Sequence, residues 1–170
     1  YTLTDVNRQA ASAHILVFHH EPNGPASRWA LTTVPGDEVS AQIMGGTRYR
    51  MPEPGQRMLL VGDPASAPAM VEAVEAADAS CRIIVVLQSG DDSPPLPGRE
   101  HRLIRVPPED PAALADAVRE ALGRARPDWA WVALESAATK SIRRLVGSAG
   151  VPRRAIQAQA YWIRGRAMGT

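Results

Sequence analysis

Beyond residue 56 the apolar positions alternate between two textures. "RMLLVGD" and "CRIIVVLQ" read as buried strands, and "HRLIRV", "DWAWVAL" and "RRAIQAQAYW" as three further strands. Between them, "PASAPAMVEAVEAAD", "DPAALADAVREALGRA" and "ESAATKSIRRLVGSAG" place apolar residues at helical spacing. The middle helix carries its own start signal, with Asp110 as N-cap and Pro111 in its first position. Strands alternating with helices predict a parallel sheet with right-handed crossovers, whose ligands bind beyond the carboxyl ends of the strands.

The first 56 residues read differently. Short strand candidates, "YTLTDV", "AHILVFHH" and "DEVSAQIM", are separated by "PGD" and "GG" turns. The one helical stretch is the short "ASRWALT". The expected fold is therefore α/β in two lobes. Residues 1–56 form part of an antiparallel sheet or barrel, "MPEPGQ" at 51–56 is the linker, and 57–170 form a three-layer lobe with a mainly parallel sheet.

Composition narrows the function classes. With 170 residues, 45% hydrophobic and 22% charged, the chain suits a globular domain with a real core. A net charge of +1 gives no global signature of nucleic-acid binding, although the last thirty residues are locally basic. Cys81 is the single cysteine; it excludes an internal disulfide and points to a reducing, cytoplasmic setting. No apolar run approaches the roughly 18 residues of a membrane span. His14 and His20 share one face of a predicted strand and His19 the other, and without a Cys or carboxylate partner they make no metal site.

Four segments carry candidate chemistry. In "GPASRWA", Gly24 leaves the backbone open and Pro25 sets a turn. The amides of Ala26, Ser27 and Arg28 then open a helix whose positive end suits phosphate; the same residues also suit a capped helix without a ligand. In "VGDPASAPA", a buried strand ends at Gly62 and Asp63 where a dinucleotide sits in an open sheet, with Ser66 as the available hydroxyl. It lacks the GxGxxG spacing, and a plain strand-to-helix turn reads the same way. "WVALESAATKSIRR" puts Glu135 at a helix start, with Lys140, Arg143 and Arg144 following as anion contacts or as a solvated face. "AYWIRGR" sets Tyr161 and Trp162 beside Arg164 and Arg166. That is a pocket for a flat anion, or a strand closing the core.

In this order the segments resemble the siderophore-interacting protein family of flavin-dependent ferric-siderophore reductases. Tyr1-Thr2 looks like the end of the family's Arg-x-Tyr-Thr/Ser motif. His20, Gly24, Pro25, Ala26, Ser27, Trp29 and Ala30 match its His-Gly-x-x-Gly-Pro-Ala-Ser-x-Trp-Ala segment. Pro35-Gly36-Asp37 repeats its turn, and Val61, Gly62, Asp63, Pro68 and Ala69 fit Val-Gly-Asp-Glu-Thr-Ala-Leu-Pro-Ala. "WVALESAATKSIRR" is similar to Trp-Val-Ala-Gly-Glu with its trailing arginines, and Tyr161, Trp162 and Gly165 fit the C-terminal Tyr-Trp-x-x-Gly. The resemblance implies a flavin-type barrel lobe followed by an NAD(P)H-binding lobe. It implies FAD, its diphosphate wrapped by the Gly-Pro-Ala-Ser turn and its ring contacted by Tyr1 and Thr2. It also implies hydride transfer from NAD(P)H, then electrons passed to a ferric siderophore docked by Lys140, Arg143, Arg164 and Arg166. His20, Trp29, Gly62, Asp63, Ser66, Glu135 and Trp162 complete the implied cofactor contacts.

Departures from the pattern set further expectations. Residues 64–67 lack the family's carboxylate and threonine, and Leu134 replaces a glycine where a nucleotide is expected to come close. These changes keep open a non-catalytic binding module of the same fold, or a general NAD(P)H:flavin reductase. The chain opens at Tyr1 in strand-like sequence. Three strands cannot close a six-stranded barrel, so the expectation is a longer protein, or a homodimer covering the open edge, with weak FAD binding by these 170 residues on their own.

Overall fold

The computed structural model describes residues 2–19, 24–40, 49–90 and 101–166. Five parallel strands make the main sheet: β3 (Arg57–Gly62), β4 (Arg82–Gln88), β5 (Arg102–Val106), β6 (Trp129–Glu135) and β7 (Ile156–Trp162), in the order β5-β4-β3-β6-β7. Alternation along these strands splits the core in two. Leu59, Val61, Val86 and Val132 face α3 (Pro111–Arg124) and α4 (Ser136–Ser148). Met58, Leu60, Val85 and Leu87 face α2 (Ala67–Ala76). The result is the three-layer arrangement expected of apolar strands buried on both faces. Each fully buried Leu or Val side chain contributes about 1.5–3 kcal/mol.

Local chemistry places the helices. Asp110 Oδ1 accepts from the Ala113 amide at 2.8 Å, with Pro111 in the first turn, so α3 starts where its sequence signals. α2 starts at Ala67, three residues later than its apolar spacing suggests. Asp63 Oδ1 accepts from the amides of Ala65 and Ser66 at 3.1 and 3.2 Å, and this side-chain turn replaces the first helical turn.

The N-terminal part holds a two-stranded antiparallel hairpin, β1 (Leu3–Asn7) with β2 (Ser12–Ile15), and the helix α1 (Pro25–Thr32). The second strand ends at Ile15, short of the predicted "AHILVFHH" run. Residues 37–40 of the predicted third strand carry no strand pairing, and 41–44 lie outside the described residues. The "PGD" turn is as predicted: Gly36 has φ 99°, and the Asp37 carboxylate accepts from the Val34 amide at 2.9 Å. Leu3, Val6, Ile15, Leu16, Phe18, Leu31, Val34 and Val39 are all exposed in this part, whereas the sheet buries its apolar residues.

Candidate functional site: the crevice at the end of β3 and β6

Strand order reverses between β3 and β6, which are neighbours in the sheet. The chain leaves β3 into α2 on one face and leaves β6 into α4 on the other, which opens a crevice at their carboxyl ends. Gly62 is required there. A Cβ on it would fall inside 3.0 Å of Ser66 Oγ and Met70 Sδ, and 3.3 Å from the Ala133 carbonyl oxygen. Ser66 Oγ in turn accepts from the Asp63 amide and donates to the Asp63 carbonyl, each at 3.0 Å.

Asp63 is 6% exposed, and its Oδ2 accepts from Trp162 Nε1 at 2.8 Å. Burial pushes its carboxyl up from the ordinary range, against the pull of the Trp162 indole and the backbone N–H groups of Ser66, Ala65 and Glu135. Glu135 is the N-cap of α4, its carboxylate accepting from the Ala137 and Ala138 amides and from Arg164 N. Desolvation raises the Glu135 carboxyl, but these amides together hold it below the usual value. An irregularity in the β6–β7 ladder pairs Ala160 with Leu134 and Trp162 with Glu135, so β7 carries one extra residue. Such a bulge re-aims the side chains that follow it.

Gly62, Asp63, Ser66, Glu135 and Trp162 thus meet at one end of the sheet. The carboxylates of Asp63 and Glu135 serve backbone amides and the indole. Arg164 is stacked over Trp162, its guanidinium carbon 5.7 Å from the ring centroid, and is paired with Glu109 at 3.2 Å. Lys140 and Arg143 are exposed, one and two turns along α4, and Arg166 is exposed after β7.

Gly24, Pro25, Ala26, Ser27 and Trp29 form a separate group on α1. The first intrahelical bond runs from Arg28 N to Gly24 O at 3.0 Å, so the amides of Ala26 and Ser27 precede the helical ladder. Among the described residues, a Cβ on Gly24 would meet nothing within 4 Å, which leaves that backbone approachable. Ser27 is buried, which withdraws its hydroxyl from solvent, and Trp29 is exposed. Tyr1 and His20 lie outside the described residues. Thr2 lines a cavity of about 280 Å³ between the hairpin and α2, with Leu3, Met51, Ala69 and Trp131.

Leu134 departs from expectation. Its side chain is fully buried in the α3/α4 core beside Val132, Ile142 and Val146, because strand alternation turns it away from the crevice. Sequence reasoning missed two residues. Tyr49 lines the same cavity, packs edge-on against Trp129 and Trp131, and keeps a buried hydroxyl without a hydrogen-bond partner among the described residues. Its burial, helped by Cys81, pushes the phenol up to about 12. Glu109, the partner of Arg164, sits at φ 58°. Neither lies in a motif; the signal for Glu109 was its place just before the α3 cap.

A five-stranded parallel sheet with a strand-order switch point, preceded by a small antiparallel hairpin and a short helix, defines a mixed α/β protein. The chain belongs to the siderophore-interacting protein family: residues 55–165 match the model "Siderophore-interacting protein", and residues 1–47 match "Siderophore-interacting FAD-binding domain". It is 38% identical over 178 residues to the Mycobactin import ATP-binding/permease protein IrtA of Mycobacterium tuberculosis, and 37% identical over 180 residues to that of Mycolicibacterium smegmatis. In both cases 100% of this chain aligns, spanning 20% of the relative's length. Among solved structures, the siderophore-interacting protein SipS from Aeromonas hydrophila superposes with a TM-score of 0.73 at 23% identity, over 95% of this chain and 66% of that one. The siderophore interacting protein from Acinetobacter baumannii gives 0.76 at 18% identity, over 99% and 70%. No helix among the described residues is long and apolar enough to cross a membrane.

Proposed function

We propose that this chain is the redox part of an FAD-containing, NAD(P)H-dependent ferric-siderophore reductase, with residues 1–56 completing the flavin lobe and 57–170 holding the nicotinamide nucleotide. The observation that carries the reading is the first turn of α1. Its Ala26 and Ser27 amides stand ahead of the helical ladder beside an open Gly24 backbone, inside the stretch that matches an FAD-binding domain. Amides at a helix N-terminus suit a diphosphate, so the residues present fit this end of FAD. Thr2 and Trp131, on the cavity beside α2, are the candidates for the ring end. Bound flavin would take two electrons from a reduced nicotinamide and hand them singly to a chelated ferric ion.

The residues of this chain bind, orient and shield. Asp63, Ser66 and Trp162 shape the crevice that takes the nicotinamide nucleotide. On the substrate side, 136–166 contain Lys140, Arg143, Arg144, Arg153, Arg154, Arg164 and Arg166 and no Asp or Glu. Of these, Lys140, Arg143, Arg164 and Arg166 are the proposed docking contacts for an anionic ferric chelate. The two IrtA relatives are named for mycobactin import, which supports a siderophore as the substrate class.

The test is NADPH and NADH oxidation with FAD in excess and a ferric siderophore as acceptor, read with a ferrous-specific chelator. Fe(II) should form only with protein, nucleotide and flavin together. Flavin that binds while nucleotide and Fe(III) go unchanged would replace the enzyme with a binding module.

A further inference from the structure

Asp63 makes two kinds of contact. Its Oδ1 serves the amides of its own turn, as any aspartate there would. Its Oδ2 accepts from Trp162 Nε1, 99 residues away in sequence, and ties the end of β3 to the end of β7 across β6. Removing the donor of this bond leaves an oxygen of the buried Asp63 carboxyl unsatisfied. Trp162 is constrained elsewhere as well. The β7 bulge aims it, and the Arg164 guanidinium covers its ring while paired with Glu109.

We propose that Asp63 is a positioning residue that, with Arg164, holds the Trp162 indole as a fixed wall of the switch-point crevice, against which the flat ring of a bound nucleotide packs. The alternative use of an aromatic at such a place is a flap that the ligand pushes aside. An indole held at its edge by a buried carboxylate and on a face by a paired guanidinium is not built to swing. The inference rests on the proposed nucleotide role of the crevice.

With ¹⁵N-tryptophan-labelled protein, the Trp162 indole N–H, assigned by its loss in Trp162→Phe, should exchange with solvent at least about tenfold more slowly than that of the exposed Trp29. Asp63→Ala should bring the two rates together while the far-UV spectrum stays that of the parent. Asp63→Asn, which keeps an acceptor oxygen, should retain part of the protection. Saturation with NADP⁺ should leave the parent's Trp162 N–H protected, and Asp63→Ala should weaken NADP⁺ binding about tenfold. If Asp63→Ala fails to fold, Asp63→Asn carries the same comparison, its Trp162 N–H exchanging faster than that of the parent. A Trp162 N–H that exchanges as fast as that of Trp29, that stays protected in Asp63→Ala, or that is released by NADP⁺ overturns the proposal. A parent that binds no NADP⁺ refutes the nucleotide reading and the wall with it, while the ligand-free rates separately decide whether Asp63 holds Trp162.

Discussion

Gly62→Ala tests the packing on which the crevice depends. The added methyl would meet Ser66 Oγ, Met70 Sδ and the Ala133 carbonyl, all inside van der Waals range. The thioether of Met70 can swing away. The Ala133 carbonyl is strand backbone and cannot, and Ser66 Oγ is held by two hydrogen bonds of 3.0 Å to the backbone of Asp63. Overpacking of this kind costs about 1–3 kcal/mol. Pushing Ser66 aside leaves the buried Asp63 amide unpaired for about 1–3 kcal/mol more. The expected loss is therefore about 2–6 kcal/mol, or a fall in Tm of roughly 4–24 °C for a chain of this size. Thermal and urea unfolding followed by circular dichroism measure it. Adding Ser66→Ala removes one of the obstructing atoms, so the double variant should lose at least about 1 kcal/mol less than the two single changes added together. A Gly62→Ala protein within about 0.5 kcal/mol of the parent would refute the reasoning, and strict additivity would clear the hydroxyl as the obstacle.

Leu134→Ala should cost about 2–4 kcal/mol in urea unfolding, because it empties a fully buried core site. It should leave NADP⁺ affinity unchanged in titration; tighter binding would mean that Leu134 does face the ligand. Acid unfolding should reveal the Arg57–Asp128 pair, in which Arg57 donates to Asp128 at 2.9, 3.2 and 3.3 Å. Those hydrogen bonds hold the Asp128 carboxyl below its ordinary value of 3.8, so the pair's contribution is present above that pH and is lost as pH falls through the folded-state value. Both side chains are about 40% exposed, so solvent screening keeps the effect small. Asp128→Asn should therefore show a shallower acid loss of stability than the parent, and identical slopes would count against the pair.

Much of the fold was legible because it is written locally. A strand buried on both faces must be apolar throughout, so the runs that form β3, β4 and β6 announced themselves, and Asp110-Pro111 marked the start of α3 to the residue. The hairpin lobe was less legible. Short strands carry little periodic signal, and "AHILVFHH" has apolar residues beyond Ile15 that are exposed rather than paired in the sheet. The α2 start was misplaced because a side-chain turn at Asp63 competes with the helix for the same amides.

Sequence by itself determined which elements form after residue 56, the parallel class of the sheet, and the chemistry available at "GPASRWA" and "VGDPASAPA", since propensity, capping and burial pattern act over a few residues. Tertiary structure decided what those residues do. It turned Leu134 into the core and set Glu109 against Arg164. It also brought Trp162 to Asp63, because a one-residue bulge changes which way the last side chains of β7 point. Contacts of that kind depend on strand order and register, which are set by the packing of the whole sheet.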